Sequence, residues 1–317
     1  MTSPGGIIPG ANQMVNSGKV RMIGCQMPCT NSLETNVKNI KAAIDKSQEI
    51  ITQVDKARRA SIHEAKEKYL PYIITPEGCL SGYDPHFDDY FDEILDAEKE
   101  VVEHAKKNEC GMFLGTMYEE MYGEHAARRS QLRVYDTKGG LVGYENKKYV
   151  IDWERCLSGF LKLSDDDGLP MILPKSDWLK HIVLPEMSND FIQLMLCNDM
   201  WGLPFEDGHH MDDRNIPVVN LVKAGFRSTT LIIHASNAER GHNVKYDKLR
   251  REWHNVWLKT MSHDFQVPII HVDNCYMLEG YEYHGRTASK SGLIVMGEYF
   301  KEVPDHDTQY FYADFNR

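Results

Sequence analysis

The sequence contains no run of about 18 consecutive apolar residues, the length that a membrane-spanning helix needs. Its first residues also lack the basic start and apolar core that are typical of a signal peptide. Positive charge is in deficit, because 47 acidic residues face 36 Lys and Arg and give a formal net charge of -11. Phosphate contacts require clustered Lys and Arg, so this balance argues against a general nucleic-acid binder and mildly against an anionic membrane surface.

The chain has seven cysteines, but their odd number and irregular spacing do not form a disulfide framework. Reduced thiols are typical of the cytosol, and we therefore predict a cytoplasmic protein. Cys25 and Cys29 have no second pair of ligands near them at the spacing of a zinc site. The segment 207–213 offers His and carboxylate side chains, but a polar loop near a pocket is its simpler interpretation. We therefore predict no metal site.

No Pro- or Ser-rich linker and no repeat of fixed period divides the chain, so one domain is the simplest organisation. Apolar runs of strand length alternate with helical patterns, which predicts an α/β fold with helices layered over a sheet. One helical pattern begins near Asn31, and the charged stretch after it extends this helix, or forms a second one, to about Tyr69. We interpret this long helical region as a surface extension, with an oligomer contact or a lid element as the alternative.

Three segments end at residues with catalytic potential. The apolar run 191–196 stops at Cys197, and a second apolar run ends at Glu77, directly after Pro76. Lys147 lies just beyond a predicted hairpin strand. Active sites of α/β proteins collect at the edge of the sheet where such strands end. A thiol, a general base and a cation are the groups that covalent acyl transfer requires.

Taken in order, these segments resemble the nitrilase (carbon–nitrogen hydrolase) superfamily. In that family the glutamate follows a proline at a strand end and a Gly-Tyr pair comes soon after, as around Glu77 and Tyr83 here. The family lysine lies in a K-x-H-L-F-D-x-E context, to which residues 147–154 correspond in length and in their acidic positions. The family cysteine lies in C-x-[DE], to which residues 197–199 correspond. Each motif alone is weak, but their order and their strand-end positions make a specific pattern.

The resemblance covers residues 19–303 and implies a carbon–nitrogen hydrolase domain with a four-layer α-β-β-α sandwich. Residues 1–18 are then expected to form a flexible N-terminal tail, and residues 304–317 a C-terminal extension. Members of the family commonly pair subunits and so extend the sandwich. A homodimer or a higher homo-oligomer is therefore expected.

The resemblance also implies a role for each catalytic residue. Cys197 would attack the substrate carbonyl and form a thioester acyl-enzyme. Glu77 would act as general base, because a neighbouring carboxylate does not lower the pKa of a thiol electrostatically. Lys147 would stabilise the tetrahedral oxyanion. Glu154, seven residues after the lysine, would orient the substrate amide or the lysine, and the mechanism needs no metal or organic cofactor.

The residues after the cysteine bear on the substrate. Nitrilases proper usually have Trp-Glu there, whereas Asn198 and Asp199 look more like the amidase and carbamoylase branches. D-Carbamoylases place an arginine close behind, but here Met200 and Trp201 follow, and neither can hold a carboxylate as a guanidinium does. We therefore expect a small, uncharged non-peptide amide, hydrolysed to acid and ammonia. The backbone N–H of Asn198 and the rings of Trp201 and Tyr83 are the predicted substrate contacts.

Two alternatives stay open. The first is an N-carbamoyl amide hydrolase that releases ammonia and carbon dioxide, since Arg227 or Arg286 could supply an arginine from elsewhere in the fold. The second is a catalytically idle relative that serves as a binding or scaffold protein. Taken singly, a strand-end cysteine is usually a small buried hydrophobe, and a lysine is usually surface charge. The three residues in their matching order favour catalysis.

Overall fold

Two β-sheets packed face to face lie at the centre of the protein. The computed structural model describes residues 19–61, 68–82, 90–122, 125–147, 181–187, 190–197, 229–237, 256–275, 287 and 289–315. In chain order the elements are β1 (Lys19–Gln26), α1 (Leu33–Ser61), β2 (Tyr69–Ile74), α2 (Phe91–Lys107), β3 (Gly111–Tyr122), β4 (His125–Tyr135), β5 (Leu141–Asn146), β6 (Phe191–Leu196), β7 (Thr229–Ala235), β8 (Ile269–Val272), β9 (Gly292–Val295), β10 (Glu298–Glu302) and β11 (Gln309–Phe315).

Both sheets combine a parallel core with antiparallel edges. The first has the strand order β11-β1-β2-β3-β4-β5, and the second has the order β10-β9-β8-β7-β6. Strands β1, β2 and β3 are parallel, as are β6, β7 and β8. Parallel neighbours need a crossover connection, and α1 and α2 lie in the connections from β1 to β2 and from β2 to β3.

Apolar side chains fill both faces of the central strands, as is typical of sheets that are covered on both sides. Met22 of β1 faces the second sheet, where it belongs to one core cluster with Leu194 of β6 and Ile233 of β7. Its neighbour Ile23 points the opposite way and packs with Ile40 of α1 in a separate cluster. Because successive side chains of a strand point to opposite faces, one face of the first sheet packs against the second sheet and the other packs against the helices.

A helical segment covers the outer face of the second sheet and completes four layers. Residues 256–265 are helical, and Leu258 and Met261 pack against Ile232 and Ile269. The predicted α-β-β-α sandwich is therefore confirmed. In the part of the chain that the structure describes, no helix is long and apolar enough to cross a membrane.

The first helical region was predicted to continue to about Tyr69, which is the first residue of β2, and residues 62–67 lie outside the described residues. The α1 helix is described as far as Ser61. Proline lacks a backbone N–H and is disfavoured inside helices, so Pro71 favours the strand over a continued helix. In the buried run after it, Tyr72 and Ile74 pack between the two sheets, and Ile73 packs against the helices.

Strand β11 lies within the predicted C-terminal extension and completes the first sheet beside β1. Arg21 of β1 is opposite Asp314 of β11 in the register. The guanidinium is fully buried and donates to both carboxylate oxygens, from Nε at 2.6 Å and from Nη2 at 3.2 Å. The rings of Tyr69 and Tyr312 lie 4.7 and 5.1 Å from the guanidinium carbon. A buried charge therefore joins the two ends of the described chain.

The same edge of both sheets carries the ends of the parallel strands. Met27 follows β1 and forms a parallel bridge with Asn274, which lies two residues after β8. The N–H of Cys275 also donates to the carbonyl of Met27 at 3.2 Å. Because the parallel strands of each sheet end at one edge, this link brings the residues after β2 and after β6 to a common end of the sandwich.

The Asp314→Asn variant is expected to lower the free energy of unfolding by about 2–3 kcal/mol, because it leaves the buried Arg21 charge only partly compensated. Asp55, 3.5 Å from Nη1 of Arg21, limits the loss. Chemical denaturation measures the effect, and Glu298→Gln at an exposed surface pair with Lys259 serves as the control. Equal stability of the two variants would contradict a structural role for β11.

Candidate active site

Glu77 lies just past the end of β2 and is completely buried. Its Oε1 accepts a hydrogen bond from Oγ of Ser130 at 2.8 Å and lies 3.1 Å from Nζ of Lys147. The Lys147 side chain is almost as buried as the carboxylate, with 2% exposure. A desolvated ion pair of this kind is costly to form unless its geometry is good.

The β4–β5 hairpin delivers two of these three side chains. Ser130 lies on β4, and Lys147 is the first residue after β5. The N–H of Lys147 donates to the carbonyl of Ser130 at 2.8 Å, while the hydroxyl of the same serine donates to Glu77. One residue thus fixes the lysine through its backbone and the glutamate through its side chain. The sequence analysis missed Ser130, because nothing in a strand of mixed polarity marks it.

The second oxygen of Glu77 faces no protein donor. Oε2 is buried and has no hydrogen-bond partner among the described residues. A buried acceptor without a donor costs free energy and is rare in folded proteins. The hydroxyl of Ser236, just past the end of β7, is likewise buried and unpartnered. Both atoms lie at the carboxyl ends of parallel strands, so this edge retains hydrogen-bonding capacity that a bound molecule can use.

Cys197 follows β6 and has a backbone φ of 40°. This left-handed conformation is uncommon for a residue other than glycine and typically marks a tight, functionally constrained turn. The turn ends the apolar run of β6 abruptly, at the same edge of the sheet as Ser236. Such a geometry, a nucleophile on a sharp turn at a strand end, presents a side chain at the rim of a sheet.

His234 of β7 lies close to charged and polar groups of the site. Burial, followed in size by the adjacent His271, lowers the pKa of His234 to about 3. The carbonyl of Cys197 and the carboxylates of Asp273 and Glu77 act in the opposite direction. His234 therefore interacts electrostatically with Glu77 of the first sheet and contacts the backbone carbonyl of Cys197 of the second. The signal in the sequence was a single histidine at the end of the apolar run 231–233.

Three further buried thiols have raised pKa values. Burial raises the pKa of Cys25 and of Cys29 well above the ordinary range, and it raises the pKa of Cys110 to about 12. Because only the thiolate is a good nucleophile, burial disfavours reaction at these three side chains. They pack with apolar residues between the first sheet and its helices.

The structure thus brings Glu77 and Lys147 into direct contact and places Cys197 at the same edge of the sandwich. The remaining predicted residues, Glu154, Asn198, Trp201 and Tyr83, lie outside the described residues, as does the polar segment 207–213. Within the described ranges, no group of three or more His, Cys, Asp or Glu side chains could hold a metal ion.

No protein-family model matches the chain, and no curated protein does. Solved structures do match. A carbon-nitrogen hydrolase from Helicobacter pylori G27 has 12% identity and a TM-score of 0.63, over 94% of this chain and 89% of its own. Nit3 of Saccharomyces cerevisiae, of the nitrilase superfamily, has 12% identity and a TM-score of 0.59, over 95% and 91%.

The amidase from Nesterenkonia sp. AN1, in a mutant form, has 13% identity and a TM-score of 0.61, over 94% of this chain and 93% of its own. These matches extend over nearly the whole length of each protein. The chain therefore has the fold of the carbon–nitrogen hydrolases, which confirms the fold that the sequence resemblance implied.

The Gly115→Ala variant is expected to disturb the backbone that carries Glu77. A Cβ at this position of β3 would lie 2.0 Å from the carbonyl oxygen of Pro76 and 2.9 Å from Cα of Glu77. We expect a loss of stability of about 1–3 kcal/mol, because backbone atoms cannot move aside cheaply. Thermal denaturation measures it. Gly143→Ala is the matched control, since its Cβ meets only the tip of the Ile182 side chain.

Proposed function

We propose that this protein hydrolyses a small, uncharged non-peptide amide to an acid and ammonia through a thioester on Cys197. The observation that carries the proposal is the buried Glu77–Lys147 pair, at the sheet edge where Cys197 ends β6. A base and a cation that share one water-excluded position are of little structural use but are the groups that acyl transfer needs. The fold shared with the carbon–nitrogen hydrolases supports this chemistry.

The neighbouring structures supply chemical support. One mutant of the Nesterenkonia amidase shows covalent addition of the acetamide moiety of fluoroacetamide at its active-site cysteine. Another is in complex with acrylamide. Both compounds are small and uncharged, as we expect for the substrate of this chain. The fold that these enzymes share with this chain thus accommodates a cysteine that reacts with a small amide-bearing compound.

Acylation begins with attack of the Cys197 sulfur on the amide carbon. As the carbon–sulfur bond forms, Glu77 accepts the thiol proton through Oε2, which has no hydrogen-bond partner among the described residues, while Ser130 holds Oε1. The positive charge of Lys147 stabilises the negative oxygen of the tetrahedral intermediate. The carbon–nitrogen bond then breaks, and the protonated Glu77 gives its proton to the departing ammonia.

Deacylation repeats these steps with water. Glu77 removes a proton from the water as its oxygen attacks the thioester carbon, and Lys147 again stabilises the oxyanion. The carbon–sulfur bond breaks, the proton returns to the sulfur, and the acid leaves. Glu154 would orient the lysine or the substrate amide. The backbone N–H of Asn198 would add a second oxyanion donor, and Trp201 and Tyr83 would line the pocket. The chain would act as a homodimer or higher homo-oligomer in the cytoplasm.

Ammonia release from a panel of simple amides, nitriles and N-carbamoyl compounds tests the proposal directly. Activity on simple amides that disappears in Cys197→Ala is the expected result. Activity confined to N-carbamoyl compounds, with carbon dioxide released, would instead identify the carbamoyl hydrolase. No ammonia release from any compound of the panel, together with slow alkylation of Cys197, would favour the binding or scaffold protein.

The Cys197→Ser variant is expected to lose at least about 10³-fold in kcat, because the hydroxyl is a much poorer nucleophile at this site. Its melting temperature should stay within a few degrees of that of the parent, since oxygen and sulfur differ little in size. Steady-state kinetics and thermal denaturation on one preparation make the comparison. A large loss of stability would make the residue structural.

Charge pairing makes the effects of Glu77 and Lys147 on stability non-additive. Glu77→Gln alone leaves a buried lysine uncompensated and should cost about 3–5 kcal/mol of unfolding free energy. The double variant Glu77→Gln/Lys147→Met removes both charges and should recover most of that loss. It should nevertheless remain as inactive as the single variant. Recovery of activity along with stability would contradict the catalytic role of the pair.

The unpartnered hydroxyl of Ser236 permits a test of a substrate contact that does not depend on folding. Ser236→Ala removes a buried group without a partner, so stability should be unchanged or slightly higher. If the hydroxyl binds the substrate amide, kcat/KM should fall about 10-fold, the value of one hydrogen bond. Ser262→Ala, at a buried serine of the helical segment 256–265, is the control. Unchanged kcat/KM would exclude the contact.

A further inference from the structure

A chain of hydrogen bonds leads from the backbone of Cys197 into the outer face of the second sheet. His234 and His271 are direct neighbours on the parallel strands β7 and β8. Their rings stack with centroids 4.8 Å apart at 28°, and their Nδ1 atoms are separated by 2.7 Å. Nε2 of His234 lies 3.1 Å from the carbonyl oxygen of Cys197. Nε2 of His271 lies 2.6 Å from Oγ of Ser289.

The position of every proton in this chain follows from its end at Cys197. A carbonyl oxygen only accepts hydrogen bonds, so Nε2 of His234 must carry a proton. Burial lowers the pKa of both histidines to about 3, so both rings are neutral and each has one N–H. Nδ1 of His234 is therefore an acceptor, and Nδ1 of His271 must be the donor to it.

The remaining groups complete the chain in the same direction. Nε2 of His271 has no proton of its own, so the hydroxyl of Ser289 donates to it. Asp273 lies beside that serine and accepts the backbone N–H groups of Ser289 at 2.9 Å and of Asn274 at 3.0 Å. The hydroxyl of Ser289 has a second acceptor in Oδ2 of Asp273 at 3.1 Å. The shorter 2.6 Å contact with Nε2 of His271, together with two neutral rings, directs the hydroxyl proton at the ring. All donors then point towards Cys197.

We propose that His234, oriented by His271 and Ser289, is a positioning residue that holds the Cys197 backbone in its reactive conformation. The inference rests on the proposed function of Cys197 as the nucleophile. The left-handed φ of 40° costs on the order of 1–3 kcal/mol and persists only where neighbouring groups fix it. Among the described residues, His234 is the side chain that bonds the Cys197 carbonyl.

This hydrogen bond also reaches the oxyanion donor. In a planar trans peptide the carbonyl and the following N–H point in opposite directions. A side chain that fixes the carbonyl of Cys197 therefore also fixes the direction of the next N–H, the donor proposed to bind the oxyanion. The consequence appears in the transition state more than in substrate binding, so kcat should change more than KM.

The test compares three variants of the whole protein. His234→Met removes the donor to Cys197 and is expected to lower kcat about 10²-fold, as loss of an oxyanion donor does, with KM changed less than about threefold. His234→Gln retains an N–H that can reach the carbonyl and should restore most of that activity. Ser289→Ala breaks the far end of the chain without touching Cys197 and should give a smaller loss of the same type. Ile232→Val, on the same face of β7, is the matched control for stability.

Alkylation of Cys197 by iodoacetamide, followed by peptide mass spectrometry, gives a readout that needs no substrate. The rate should fall about tenfold in His234→Met and recover in His234→Gln, because the thiol loses its fixed position and regains it. Unchanged kcat and unchanged alkylation in His234→Met would overturn the positioning role while the proposed function stood. Altered alkylation in a protein silent towards all amides would leave the positioning role intact and refute the function. A loss of kcat equal to that in Ile232→Val at the same melting temperature would also overturn the role.

Discussion

The buried ion pair between Glu77 and Lys147 is the constraint on which the rest of this site depends. Both charges are removed from water, and each compensates the other at 3.1 Å. The pair can form only if the end of β2 and the end of the β4–β5 hairpin meet at one place. Ser130 ensures this by bonding both partners. The parallel core of the first sheet and its antiparallel hairpin are thus joined by an ion pair and hydrogen bonds as well as by packing.

The second sheet meets this pair with its own strand ends. The link from Met27 to Asn274 aligns the two sheets, and Cys197, Ser236 and Asp273 follow β6, β7 and β8 at that edge. The apolar interior between the sheets sets their separation, while Glu77, Lys147 and Cys197 lie where strands stop. The same strands therefore form the rigid core and carry polar residues at their ends. Regular elements of this kind can hold the side chains of a site in position to within a fraction of an ångström.

The strand ends at Glu77, Lys147 and Cys197 could be predicted from the sequence, because a buried run followed by a polar residue is a local pattern. The four-layer fold was implied by the family resemblance of these segments. Features that depend on residues far away in the sequence could not be predicted from local patterns. Strand β11 was not predicted, since its partner β1 is far away in the sequence. His234 and Ser130 could not be assigned roles, because their importance depends on neighbours from other strands.

The pairing of Arg21 with Asp314 has a consequence for the order in which the chain matures during synthesis. The two residues are 293 positions apart, so a ribosome releases the arginine long before its carboxylate partner exists. At about 5–20 residues per second, that interval lasts roughly 15–60 seconds. Throughout it, one flank of β1 has exposed backbone groups and Arg21 has only Asp55 to approach. The nascent protein therefore holds an open sheet edge, a natural substrate for chaperones, until β11 closes it.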